Sequence, residues 1–374
     1  MKHKVITAGH ICIDITPVFP HPQVAEMGEI LKPGKLVEVG AADVHTGGAV
    51  ANTGLAMKIL GADVQLMGKI GRDSFGDMVT AILQKYDAAD GMLRVESEST
   101  SYSVVLAVPG IDRIFLHNPG ANDTFCADDV PAETLADTGL FHFGYPPLMA
   151  RMYENNGAEL TKMMQTIHQA DVVTSLDLAA VDPSSPAGQQ DWERILRNTL
   201  PFVDIFVPSI EEVCYMLDRD RYSHWQERAG SGDITEILDL QEDIIPLADK
   251  CMSFGIGILL LKCGAKGMYC CTSDATRLKR LAEIIGIDAD RWAGVSKFEG
   301  SYIPDRVLSA TGAGDTSIAA FLTAMMHGEE PEMCLHLAAA TGASCVAEYD
   351  ALSGLKPLEE LKDRINAGWA KYDE

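Results

Sequence analysis

Thr311-Gly312-Ala313-Gly314-Asp315, followed by Ile318-Ala319-Ala320-Phe321-Leu322, is the stretch on which the reading turns. Small residues at 312, 313 and 314 let a backbone turn come close to another molecule. Apolar residues at 318, 321, 322, 325 and 326 have helical spacing, so a helix opens at this turn. The unpaired N–H groups of a helix start, with the positive end of its dipole, make an anion site. A carboxylate inside such a site would repel an anion. It makes sense there if Asp315 takes the proton from a hydroxyl that attacks a phosphate. Taken alone, the stretch is better read as an ordinary N-cap Asp after a glycine turn. No Gly-Lys-Ser/Thr follows, so this is not a P-loop.

A second glycine motif far upstream changes that balance. It runs Thr46-Gly47-Gly48-Ala49-Val50-Ala51-Asn52-Thr53-Gly54, then Leu60-Gly61-Ala62, then Gly68 through Gly76. The Gly47-Gly48 pair permits close backbone approach to a ligand. Ala49 to Leu60 reads as a small-residue helix closing at Gly61. Residues 63–70 read as a strand, and 71–76 as the loop into the next helix. Together the two motifs resemble the signatures of the ribokinase-like (PfkB) carbohydrate kinases: Gly47 through Gly76 the N-terminal one, Asp305 through Phe321 the C-terminal one. Their order, their separation and the total length match, and the resemblance covers essentially the whole chain.

Composition narrows the partners. The 374 residues are 47% hydrophobic, enough for a sizeable core, and formal net charge is −24. That argues against nucleic acid or an anionic membrane as partner, since both need clustered Lys and Arg. The N-terminus runs straight into a strand pattern without a secretory signal, and no 18-residue apolar run suggests a membrane span. Nine cysteines, scattered without CxxC pairs, read as reduced residues of a cytoplasmic core, and no zinc-ligand spacing is present. Adjacent Cys270 and Cys271 would point to opposite faces of a strand.

Residues 4–9 read as a buried strand. From residue 140 onward strand and helix patterns alternate, with strands at 140–143, 172–177, 203–207, 257–262 and 267–272, and helices such as 154–169 and 190–199. This alternation implies a mainly parallel sheet with helices on both faces, a three-layer αβα sandwich forming a single domain over 1–374. Ligands then bind at the carboxyl ends of the strands. The Pro- and Gly-rich segment 14–46, with short apolar pieces such as Leu36-Val37-Glu38-Val39, and the hairpin within 100–121, turning at Pro109-Gly110-Ile111-Asp112, read as a small separate β-sheet. In the family it resembles, such a sheet is a lid over the sugar and often a dimer surface. Residues 219–242 and 274–300 read as surface excursions.

The resemblance implies ATP-dependent phosphorylation of a sugar-like hydroxyl, with Asp315 as general base. Backbone N–H groups around Gly312, Ala313 and Gly314 would form an anion hole. Asp14, which can accept two hydrogen bonds from neighbouring sugar hydroxyls, matches the family's sugar-binding carboxylate. Gly47, Gly48 and Asn52 match its substrate loop. Ala49 stands where ribokinase-type members often carry Lys, which puts ribose itself in doubt. Asn118 and Asn122 read equally as substrate amides or as turn residues. Arg113 on the hairpin reads as solvated.

Pro208-Ser209-Ile210-Glu211-Glu212 falls where the family has Pro-Asn-x-x-Glu, which implies that Glu212 holds Mg²⁺ through water and Ser209 lies at the nucleotide. Gly264 and Gly267 match the nucleotide loop, and Lys262, which falls where Thr is often found, reads equally as a phosphate contact or as a solvent-facing side chain. Ser309 and Ala310 replace the Asp-Thr that opens the C-terminal signature, which puts potassium activation in doubt. A nucleoside kinase of the same fold would use an aromatic wall for the base, for which Phe19, Phe115 and Tyr145 are candidates. A non-catalytic binding protein would be expected to lack Asp315.

Overall fold

The strands that read as continuous apolar runs are the ones buried on both faces. In the computed structural model, which describes residues 1–20, 22–111 and 113–372, nine strands form one sheet, with the runs buried on both faces at its centre. In chain order these are β1 (Lys4–Gly9), β4 (Val64–Gly71), β5 (Met92–Val95), β8 (Thr138–Gly144), β9 (Val173–Leu176), β10 (Ile205–Phe206), β11 (Ile258–Lys262), β12 (Gly267–Thr272) and β13 (Ser296–Gly300). Their spatial order is β13-β12-β11-β10-β9-β8-β1-β4-β5. All neighbours run parallel except β11–β12 and β12–β13, which are antiparallel.

The pleat sorts each strand's side chains into two cores. Val5, Leu140, Ile258, Leu260 and Cys270 face one layer, while Ile6, Phe141, Leu259, Leu261 and Cys271 face the other. Burial on both faces is what crossover helices impose on a parallel sheet. One layer is built from α1 (Ala49–Ile59), α2 (Ser74–Gln84), α8 (Ala275–Ile285), α9 (Ala289–Trp292), α10 (Ala313–Met326), α11 (Pro331–Cys345) and α12 (Leu358–Asn366). The other is built from α3 (Ala150–Gln169), α4 (Trp192–Thr199), α5 (Ile210–Leu217), α6 (Arg219–Ala229) and α7 (Ile245–Met252). The result is the three-layer sandwich. The adjacent cysteines Cys270 and Cys271 do face opposite layers.

A second sheet of four strands stands apart, in the order β3-β2-β6-β7: β2 (Cys12–Pro17), β3 (Ala42–Gly47), β6 (Tyr102–Leu106) and β7 (Ile114–Asn118). Its strands come from the two segments expected to form it. The hairpin turn residue Asp112 lies outside the described residues. Leu36–Val39 is not a strand; Leu36 is exposed, and the strand lies further on at Ala42–Gly47.

Three other expectations are corrected. Residues 274–300 are no surface excursion. Leu278, Leu281 and Ile285 form a buried stripe on α8, Trp292 is buried, and β13 closes the sheet edge. Within 219–242, α6 buries Trp225, whose Nε1 donates to buried Asp243 at 2.8 Å. The helix expected at 154–169 starts earlier and is interrupted, because Asn155, Asn156 and Gly157 take left-handed conformations.

One buried charge cluster anchors the far side of the sheet. Asp204, ahead of β10, accepts from Arg280 Nη1 at 2.6 Å, Arg277 Nη1 at 3.0 Å and the Thr174 N–H at 3.0 Å. Burial works to raise its carboxyl, but His168, Arg280 and Arg277 outweigh this and hold it below the usual carboxylate range. We expect Asp204→Asn to cost about 2 kcal/mol at neutral pH, the worth of hydrogen bonds to a charged group. A depressed carboxyl stabilises the fold fully above its unfolded value of about 4. That stabilisation fades as pH falls through the folded value. Melting curves from neutral to acidic pH check this: the gap between wild type and variant should narrow on the acid side, and a constant gap would contradict it.

Candidate active site

Five residues that follow parallel strands gather at one end of the sheet. His10 follows β1, Tyr145 follows β8 and Asp177 follows β9, while Ser209 comes shortly after β10 and Lys262 ends β11. All five line one cavity of about 750 Å³. Carboxyl ends of parallel strands are where such a sheet opens a crevice. The second sheet contributes Cys12, Asp14, Ser103, Phe115 and His117 to the same cavity.

The turn at 312–315 forms its floor. Gly312 holds φ +76°, and a Cβ there would stand 2.3 Å from the Ala351 Cβ, so only glycine fits. From it α10 begins at Ala313. The Ala313 N–H donates to the Ala310 carbonyl at 3.3 Å, whereas the N–H groups of Gly314 and Asp315 have no backbone acceptor among the described residues. These two, with the helix dipole, could receive an anion.

Asp315 is buried at this helix start. Asn52 Nδ2 donates to its Oδ2 at 3.0 Å and Thr53 Oγ1 to its Oδ1 at 3.2 Å. The Tyr145 hydroxyl lies 2.8 Å from Oδ1 and 2.7 Å from Oδ2. That hydroxyl has one proton, so it serves one oxygen at a time and leaves the other a lone pair for an incoming proton. Burial, reinforced by the Asp315 charge, pushes the Tyr145 phenol well up, so it stays a donor. Tyr145 itself sits at φ +68°, a strained conformation for a bulky residue.

Lys262 spans the floor. Its Nζ donates to Asp177 Oδ1 at 2.8 Å and lies 3.8 Å from where a Gly314 Cβ would stand. Burial opposes charge on Lys262, but Asp177, Glu212 and Asp315 outweigh it and raise its ammonium above the usual lysine range. Burial raises the Asp177 carboxyl, Glu212 and Asp315 add to this, and Lys262 offsets it only in part. At 2.8 Å we take the pair as ammonium and carboxylate. Ser209 and Glu212 form a capping box at the start of α5, with the Ser209 N–H donating to Glu212 Oε2 at 2.8 Å.

Beyond the turn lies a second cavity of about 380 Å³. It shares Lys262, Gly264 and Gly314 with the first and adds Gly267, Ala313 and an apolar wall that includes Met268, Tyr302, Val307, Ala343 and Val346.

Most residues singled out from the sequence meet here. Asp14 lines the large cavity from β2 rather than from the end of β1. Gly47 backs it, since a Cβ there would stand 2.0 Å from Asp14 Oδ2. Gly48, Asn52, Ser209, Glu212 and Gly264 also line the cavity. The two asparagines of the 117–122 turn are not brought in. Asn122 is fully buried, with its amide donating to the Ile11 carbonyl at 2.9 Å and accepting from the Ile11 N–H at 3.2 Å. Asn118 donates to Ser99 Oγ at 3.1 Å. Neither lines the cavity; they fasten the turn. Arg113 is not simply solvated either: it donates to Thr311 Oγ1, tying the hairpin to the residue before Gly312. Thr53 and His10 were missed as site residues, and Tyr145 was read as a candidate base wall rather than as the donor to Asp315. Thr53 sits beside Asn52, and Tyr145 and His10 each follow a buried strand run; position after a strand was the available signal.

Comparison with known proteins follows this geometry. Residues 2–357 match a family described as pfkB family carbohydrate kinase. An uncharacterised sugar kinase of Archaeoglobus fulgidus is 25% identical over 305 residues, which is 80% of this chain and 98% of that protein. Arabidopsis thaliana ribokinase complexed with ribose and ATP has the same fold, with a TM-score of 0.69 at 20% identity over 97% of this chain and 98% of that one. So does an E. coli protein provisionally named ribokinase II, solved with ATP and Mg²⁺, with a TM-score of 0.70 at 19% identity over 97% and 99%.

Proposed function

This chain belongs to the pfkB family of carbohydrate kinases, a phosphotransferase with an alcohol group as acceptor, and from that premise we propose that Asp315 is the base that activates a sugar hydroxyl toward the γ-phosphorus of ATP. One observation carries the reading: Asp315 sits at a helix start between two cavities, held by three donors with a lone pair to spare.

The large cavity takes the sugar at its lid end, where Asp14 faces substrate hydroxyls. The apolar second cavity takes the nucleotide base, with Gly264 and Gly267 at its edge. The phosphates then lie across the turn, under the Lys262 ammonium. The acceptor hydroxyl gives its proton to Asp315 as its oxygen attacks phosphorus. The N–H groups of Gly314 and Asp315 and the Lys262 charge receive the negative charge that develops on the transferred group. Glu212 and the buried Asp177 are the carboxylates that fit Mg²⁺, with Glu212 acting through water. When bound there, such an ion would supply charge neutralisation to the nucleotide phosphates. Closure of the small sheet excludes water as a competing acceptor, and the Arg113–Thr311 bond favours that closed arrangement. Ser309 and Ala310 in place of the usual carboxylate weaken the case for activation by potassium. The exposed Ile114 and Leu116 on the edge strand β7 favour pairing of two such sheets in a homodimer.

A sugar fits better than a nucleoside. Of the three aromatic side chains available for a base wall, Tyr145 is committed to Asp315 and Phe19 does not line the cavity, leaving Phe115. Among the described residues no helix is long and apolar enough to cross a membrane.

ADP release with MgATP, measured across free sugars, sugar acids, sugar phosphates and nucleosides, tests this. Turnover with at least one sugar or sugar derivative is expected. Turnover confined to nucleosides would replace the reading with a nucleoside kinase, and a silent panel with intact ATP binding would favour a binding protein.

A further inference from the structure

His10 is the one cavity-lining side chain whose hydrogen-bonding groups are buried and unused. It is 2% exposed, and neither Nδ1 nor Nε2 has a partner among the described residues. Its backbone is clamped: the N–H donates to the Gly144 carbonyl at 3.2 Å, and its carbonyl accepts from the Val50 N–H at 3.1 Å. The ring is wedged as well. A Cβ on Gly48, which holds φ +86°, would stand 2.6 Å from Nδ1, so Gly48 makes room for the imidazole. His117 from β7 and Tyr145 flank it, with ring centroids 5.3 Å and 6.2 Å away. A donor and an acceptor buried without partners are costly, and a fold tolerates them where a ligand completes them.

We propose, resting on the sugar-kinase reading, that His10 is a specificity-determining residue that hydrogen-bonds a hydroxyl of an uncharged sugar, and that the site selects against substrates already carrying a phosphate or a carboxylate.

The chemistry of the surroundings sets the substrate class. Burial, with His117 adding to it, pushes the His10 ring down to about 3, so at neutral pH it is uncharged. A neutral imidazole offers one donor and one acceptor, as a hydroxyl does, but no charge to balance an anion. Its neighbour His117 is also lowered, chiefly by burial, while Asp14 and Asp123 oppose the shift. Asp14 and Asp315 already place two carboxylates at this end. Among the lining residues the lysine or arginine is Lys262, which is paired with Asp177 and lies toward the turn. Arg113 lies over the ring of cavity-lining Phe115 but does not itself line the cavity and is bonded to Thr311, so a phosphate or a carboxylate on the sugar would meet chiefly carboxylates and neutral rings inside it.

The test compares free pentoses, hexoses and sugar alcohols with their monophosphates and aldonic acids, then takes the monodeoxy analogues of the best substrate. Neutral sugars should be turned over and anionic ones not. Removing one hydroxyl should lower kcat/KM by about tenfold to a hundredfold in the wild type. In His10→Phe that one penalty should shrink to about twofold, mainly through KM, while the penalties at other hydroxyls persist; His10→Asn should restore part of it. A merely structural role would leave the ranking of the deoxy analogues unchanged. Should the variants misfold, ¹⁵N-histidine-labelled wild type titrated with the turned-over sugar answers the same question, since His10 ring resonances should shift. An unchanged ranking, unmoved resonances, or a preference for an anionic sugar overturns this inference and leaves the kinase standing. A panel silent toward every sugar overturns both.

Discussion

Asp315→Asn is expected to lower kcat by about a thousandfold, within the range contributed by a positioned general base, while affinity for ATP stays close to wild type. The two cavities explain the split. The side proposed for the nucleotide is built from the Gly264–Gly267 loop and the apolar wall behind the turn, none of which the substitution alters. Asparagine matches the size of aspartate and keeps one acceptor, so the helix start survives. Its amide N–H₂ would however face either the Asn52 amide, a second donor, or the Thr53 hydroxyl, which would have to turn from donor to acceptor, and it could not accept a proton. Some loss of melting temperature is therefore expected alongside the loss of turnover. Calorimetric ATP titration, a thermal melt and single-turnover phosphoryl transfer separate these effects. Turnover within tenfold of wild type would remove Asp315 from the role of base, and a parallel loss of ATP binding would recast it as part of the anion site.

Much of this site could be read from the chain before folding, for a physical reason. The turn at 312–315 and the pair at Gly47-Gly48 are local: their small residues are needed where they stand, by φ at Gly312 and Gly48 and by the approach of Asp14 to Gly47. The alternation of buried strand and helix from residue 140 likewise fixed which segments end at one edge of the sheet. What stayed hidden was pairing across the chain. Nothing near Tyr145 says that its hydroxyl will reach a carboxylate 170 positions away, and nothing near Asn122 says that its amide will close on Ile11. Tyr145 is a single polar residue after an apolar run and Asn122 one of several polar residues in a turn, and neither has a period to detect. The stripe at Leu278, Leu281 and Ile285 had a period, but Arg277, Lys279 and Arg280 around it gave the segment a solvated look. Two of those charges turn inward on buried Asp204, where charge serves packing rather than solubility.

Lys262→Met should have the second largest effect, and a second substitution separates its two causes. Lys262 and Asp177 form an ion pair whose acid side is fully enclosed, with side-chain exposures of 14% and 1%. Removing the ammonium leaves Asp177 facing Glu212 and Asp315 without a counter-charge, which should cost about 3 kcal/mol of stability. Burial and those two neighbours push the carboxyl upward, so Asp177 will escape by holding a proton. A group raised in the folded state binds more protons folded than unfolded. The variant's deficit should therefore be smallest at or below the unfolded value of about 4 and grow as pH rises. Adding Asp177→Asn removes the orphaned charge, and stability should return to within about 1 kcal/mol of wild type, because deleting both members of a buried pair is far cheaper than deleting one. Activity should not return with it. The ammonium lies over Gly314, where the proposed transfer would place the developing charge, and losing one such stabilising group costs about a hundredfold in kcat/KM. Chemical denaturation at several pH values and steady-state kinetics on the single and double variants decide the matter. If the double variant recovers turnover together with stability, Lys262 serves only to neutralise Asp177, and the phosphate contact must be sought at the helix start alone.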